Sequence, residues 1–231
     1  MIETWRSYSL DDFLMFSPAS YFRRYELANA DFWPGQLLLV AMAVALLWMV
    51  ARRRTYSTRR VGLLLAAAWI LVAGVFLFRH FAQINPIANA FALMFVLQAL
   101  LLSAFGCIRS YRQYVFRPGL PAAGYPGMFL LLYALLIHPL VGIFAGRSWQ
   151  GVELFGLAPD ATALATIGIL LTGLRAAGWP LLIIPFAWCG TSALTYLAMN
   201  YPYGVLPLFV AVAALVATIL LRLRLDPTAR S

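Results

Sequence analysis

The sequence predicts an all-α fold: a polytopic membrane helix bundle of about seven transmembrane helices, preceded by short interfacial amphipathic helices. Three observations predict it. Of 231 residues, 63% are hydrophobic and 11% are charged, against roughly 45–50% and 25% in a soluble domain. Apolar runs of roughly 18–23 residues recur along the chain, each enough to cross about 30 Å of hydrocarbon at 1.5 Å per residue. Arginines gather between alternate runs. One bundle accounts for the length, and no linker marks a second domain.

Residues 1–33 form the outer segment. Ser9-Leu10-Asp11-Asp12 before Phe13-Leu14-Met15-Phe16 reads as a capping box, with Asp in place of Glu or Gln. Ser17-Pro18 reads as an N-cap with proline in the first turn, and the helix it opens carries Tyr21, Phe22, Arg24 and Tyr25. These helices are too polar to span. They are expected on the outer interface or folded over the mouth of the bundle.

The bundle occupies 34–222, with spans near 34–51, 61–78, 86–108, 127–146, 161–178, 180–198 and 204–222. The fifth and sixth meet at Gly178-Trp179-Pro180, so two half-length re-entrant segments remain an alternative there. Residues 223–231 form a cytoplasmic tail. The first apolar run is followed by Arg52-Arg53-Arg54, which suits an uncleaved anchor.

Orientation follows from charge. All 17 basic residues are arginine, as a GC-rich bacterial gene would give. With the N-terminus outside and the C-terminus cytoplasmic in a bacterial inner membrane, twelve arginines lie inside and five outside (Arg6, Arg23, Arg24, Arg79 and Arg147). Of the acids, only Asp226 falls inside. Trp33, Trp48, Trp149, Trp179, Tyr201 and Tyr203 fall at span ends, where headgroups favour amphipathic rings. The net charge of +9 is therefore read as topology. The expected partner is the lipid bilayer and not nucleic acid; protein partners are not specified.

Trp5 to Pro18, with Tyr21 and Trp33-Pro34 beyond, resembles a bacterial membrane family catalogued as domain of unknown function 6064. Phe155-Gly156-Leu157-Ala158-Pro159, followed by Thr166 to Leu171, resembles it too. The family pattern carries Cys-Pro-Thr-Thr after the second element; here those positions are Asp160-Ala161-Thr162-Ala163. The resemblance implies a multi-spanning architecture and no activity.

Ionisable groups inside a bilayer are costly, so they are functional candidates. His138, in Leu136-Ile137-His138-Pro139, is the one such group away from the span ends. Pro139 has no amide hydrogen, which frees the Leu135 carbonyl and predicts a kink. A histidine there suits a proton, a metal or a structural bond to a neighbouring helix. Gln98 and Thr191 complete a candidate intramembrane polar site, the latter beside Ser192, Thr195, Cys189 and Gly190. An outer-mouth cluster is expected from Arg79, His80, Asn85, Asn89, Glu153 and Asp160. Its bland alternative is solvated loop ends with an ion pair from Arg79 to an acid.

No Walker A, HExxH or GxSxG motif occurs, and the loop Gly119 to Gly124 has no following Lys-Ser/Thr. Cys107 and Cys189 lie far apart with no CxxC or Cys/His cluster. No catalytic residue, metal motif or cofactor is assigned. The expected function is a small permease or channel subunit for an ion or small solute; the alternative is a non-catalytic membrane sensor or assembly scaffold.

Overall fold

The computed structural model describes residues 16–51, 58–111, 122–173, 175 and 178–225. The expected capping box, Arg52–Arg54, Arg112, Arg117, the start of the 119–124 loop and the tail from Asp226 lie outside them. Among the described residues the protein is an all-helical bundle without strands.

Helix α1 spans Pro18–Phe32 and α2 spans Gln36–Ala51, bent from it by 96°. Ser17 caps α1, its Oγ accepting from the Ser20 amide at 3.2 Å. Helix α3 (Thr58–Leu71) continues through a π-helical stretch, Val72–His80. Helix α4 is Ala88–Cys107. Helix α5 (Tyr125–Leu132) passes through a π-helical turn, Tyr133–Ile137, into α6 (His138–Phe144). Then come α7 (Pro159–Leu171), α8 (Pro180–Ala198) and α9 (Leu206–Leu225).

Among the described residues, five helical stretches are long and apolar enough to cross a membrane: Arg59–Gln83, Ala88–Cys107, Ala122–Phe144, Pro180–Ala198 and Pro202–Leu225. The bent pair of α1 and α2 would make a sixth. Their outward faces carry exposed large apolar side chains, among them Phe78, Leu93, Phe129, Ile183 and Phe209.

The apolar run expected as a span at 161–178 is built differently. Helix α7 has 13 residues, all buried, a length of roughly 20 Å. It ends at Thr172, whose hydroxyl donates to the Ile169 carbonyl at 2.6 Å. Helices α3, α5, α8 and α9 pack around it. A helix sheathed by protein on every side has no lipid thickness to match, so 13 residues suffice. The contact with α5 is close: a Cβ on Gly168 would stand 2.7 Å from the Leu131 nitrogen.

Helix α1 folds over one end of this bundle. Tyr21 and Tyr25 are buried, with the Tyr21 ring against Phe81 and Tyr196 and the Tyr25 ring 4.4 Å from that of Phe76. Asn29 reaches across to the loop before α7, donating through Nδ2 to the carbonyls of Gln150 (2.7 Å) and Val152 (2.9 Å).

Candidate functional site

The site begins with a defect in a helix. Pro139 cannot donate to the Leu135 carbonyl, and just ahead of it the backbone widens into the π-helical turn Tyr133–Ile137. The His138 amide reaches back five residues to the Tyr133 carbonyl. The kink expected at His138-Pro139 thus takes the form of a π-bulge. His138 is 5% exposed.

The loop that follows supplies the charges. Ser148 caps the short turn Trp149–Gly151, and Asn29 holds the next residues from α1. Gly156, at φ +83°, turns the chain so that its amide donates to Thr162 Oγ1 of α7 at 2.8 Å. A left-handed φ of this kind favours glycine. Glu153 and Asp160 bracket that turn, 2% and 1% exposed.

His138 Nε2 lies 3.1 Å from Glu153 Oε2. Arg147 Nη2 donates to Glu153 Oε1 at 2.6 Å, and the Tyr196 hydroxyl donates to the same oxygen at 3.4 Å. Asp160 accepts from Trp188 Nε1 at 2.7 Å and from Ser192 Oγ at 2.8 Å. One donor atom from each of His138, Glu153 and Asp160 lies within 4.8 Å of the others. The cluster lines a small cleft of about 20 Å³, shared with Tyr201 and with Tyr203, which is exposed at the rim.

Two carboxylates stand close together, and Arg147 pairs with one of them, Glu153. Burial alone would raise the Glu153 carboxyl, but the Arg147 charge and the His138 contact overcome it and hold it down at about 2. For Asp160, burial and the neighbouring Glu153 charge push upward, and the group stands at about 6 despite His138, Ser192 and Trp188. The surroundings thus push the two acids in opposite directions, Glu153 down and Asp160 up. Three buried polar atoms here, His138 Nδ1, Arg147 Nε and the Tyr133 hydroxyl, have no hydrogen-bond partner among the described residues.

The expected groupings are redistributed. His138 meets Glu153 and Asp160, not Gln98 and Thr191. Gln98 Nε2 donates to the Leu181 carbonyl at 3.0 Å, and Leu181 lies roughly 10 Å along α8 from Trp188. Thr191 turns back to the Ala187 carbonyl, while its neighbour Ser192 faces the site. Of the expected outer-mouth cluster, Arg79 pairs with Asp31 at 3.0 Å, and His80 Nε2 lies 3.4 Å from the same oxygen. Asn85 Oδ1 accepts from the Ile87 amide, and Asn89 is exposed. Arg147, Trp188 and Tyr196 are site residues that the sequence did not single out. Trp188 and Ser192 share a face at i and i+4, but the run Thr191-Ser192 does not by itself say which hydroxyl turns inward.

No curated protein and no solved structure matches the chain. A family model described as "Family of unknown function (DUF6064)" matches residues 19–229. The match covers nearly the whole chain, which therefore belongs to that family.

Proposed function

We propose that this protein is an integral membrane protein of the bacterial inner membrane, N-terminus outside and C-terminus cytoplasmic. It works as a small permease or channel subunit that takes a proton or small cation at His138, Glu153 and Asp160. One observation carries the reading: a histidine and two buried carboxylates, only one of them paired with a guanidinium, line one cleft. Such a site attracts one more positive charge, and ionisable groups inside a membrane bundle mark ion pathways. The exposed apolar faces of the long helices support the membrane reading, and the arginine bias, twelve against five when seven alternating crossings are counted, supports the orientation.

The test is flux. The full chain, reconstituted in liposomes, should dissipate an imposed pH or cation gradient. Glu153→Gln should remove the flux while the helical spectrum is retained. Wild-type protein that moves no ion under any imposed gradient rejects the transport reading. Orientation is tested separately: a reporter active only in the cytoplasm should work after Ser231 and fail after Asn200.

A second reading, a membrane sensor, is favoured by what lies beyond Asp160. The hydroxyls next along α7 are engaged: Thr162 donates to the Ala158 carbonyl, and Thr166 donates to the Thr162 carbonyl and accepts from Trp69 Nε1. A site open on one side suits ligand detection. Copurification with one stable partner and no flux would favour it.

A further inference from the structure

We infer that His138, Glu153 and Asp160 bind a divalent first-row transition-metal ion, with one imidazole nitrogen and one oxygen from each carboxylate as ligands. The inference rests on the reading of this cluster as the ligand site and names the ligand more closely.

Geometry supports it first. Three chain segments, α6, the loop before α7 and α7 itself, converge on one point. Metal–ligand bonds of about 2.1 Å place neighbouring ligand atoms about 3.0–3.4 Å apart. The His138–Glu153 separation of 3.1 Å already has that spacing. The remaining separations are at most 4.8 Å, and an ion at this point would draw the Asp160 oxygen in while its bonds to Trp188 and Ser192 hold the carboxylate in place. An imidazole with two carboxylates suits manganese, cobalt or zinc, whereas magnesium and calcium favour oxygen alone.

The surroundings fit as well. A ligating carboxylate needs partners that aim it. Arg147 and Tyr196 hold Glu153 by Oε1, leaving Oε2 for the ion. Trp188 and Ser192 each occupy one oxygen of Asp160, and each oxygen keeps a second lone pair. Charge agrees: the two acids and Arg147 sum to one negative charge, which a dication reverses to one positive charge. Two unpartnered atoms lie beside the imidazole that would hold the ion. Without metal, Nε2 carries the imidazole proton toward Glu153, and Nδ1 has no partner. With Nε2 on the ion, its proton leaves to water and Nδ1 takes one up. Nδ1–H then needs an acceptor, and the unpartnered Tyr133 hydroxyl stands on the adjacent ring, with centroids 6.0 Å apart. The small cleft beside the cluster has room for about one water next to the ion.

The experiment uses the untagged full chain in detergent, stripped with chelator and titrated with Co²⁺ or Mn²⁺ alone. One ion should bind per chain. Pulsed electron paramagnetic resonance on the Mn²⁺ form should detect one imidazole nitrogen. Glu153→Gln and Asp160→Asn should each weaken binding about tenfold or more. His80→Gln, which removes the other histidine, should leave the nitrogen signal in place. Should a site variant fail to fold, the wild-type stoichiometry and nitrogen signal still decide. No binding at one per chain, or binding without a nitrogen, overturns the inference. Proton flux that needs Glu153 but proceeds in chelator would then leave the transport reading intact. Metal binding without any flux would do the reverse.

Discussion

Arg147 and Glu153 stand six residues apart on either side of the turn Trp149–Gly151 and close a 2.6 Å ion pair. The guanidinium carbon lies 4.7 Å from the centre of the Phe22 ring. Helix α1 thus covers the charge that neutralises the buried acid. The pair ties α1, the loop and the His138 helix into one unit, and its removal tests how far the bundle depends on it.

Glu153→Gln should lower stability by about 3 kcal/mol, because Arg147 is left largely buried without a counter-charge. Adding Arg147→Met should restore part of the loss, since no orphan charge then remains. Thermal unfolding in detergent of both single variants and the double reads the coupling. Additive losses would mean that the two side chains act independently.

Stability should respond to pH in two opposite steps. Asp160 titrates at about 6 in the folded protein against an ordinary 3.8, so the folded state holds the proton more tightly. Stability from this group rises as pH falls from about 6 toward 4. Glu153 titrates at about 2 against an ordinary 4.5, so its contribution is complete above that range and is lost as pH falls from 4.5 toward 2. The melting temperature of metal-stripped protein should therefore peak on the acid side of neutrality. Asp160→Asn should remove the upper step alone. A steady fall from pH 7 downward in the wild type would contradict this assignment.

Much of the fold was legible because its signals are local. Apolar runs and the Ser17-Pro18 cap belong to single windows of sequence, and α4, α8 and α9 lie close to such runs. The nature of α7 was not legible: an apolar run reads alike whether lipid or protein surrounds it, and only packing shows which. The site was half legible. His138 stood out as a deep ionisable residue, and Glu153 and Asp160 as acids near a span end. Their meeting was hidden, since the contacts of Asp160 lie 28 and 32 residues away in α8. Arg79 and His80 sit at a comparable span end, yet they turn to Asp31 on α1, whose docking position no periodicity reveals.

Space beside Arg147 should be as restrictive as charge. A Cβ on Gly142 would fall 2.0 Å from Arg147 Nη2, so Gly142→Ala must push the guanidinium off Glu153. The expected result is destabilisation by about 1–3 kcal/mol, as for overpacking elsewhere, and weakened ion handling. Gly190 is the control: nothing lies within 4 Å of its Cβ position, so Gly190→Ala should be neutral or gain up to about 1 kcal/mol of helix propensity. Equal effects of the two substitutions would mean that Gly142 is not set by Arg147.

His138 separates a structural bond from an ion-handling group. Its Nε2 contacts a buried carboxylate at 3.1 Å, and a hydrogen bond to a charged group contributes about 1.5–3 kcal/mol. His138→Leu removes the donor and should lower the melting temperature accordingly. His138→Gln keeps an amide donor of similar reach and should recover most of that stability. The amide neither carries an exchangeable charge nor binds a transition metal as imidazole does. His138→Gln should therefore be folded yet inactive in flux, and it should lose the nitrogen signal in the metal titration. Flux at the wild-type rate in a well-folded His138→Gln protein would reduce His138 to a structural tie. Glu153 and Asp160 would then carry the ion chemistry without it.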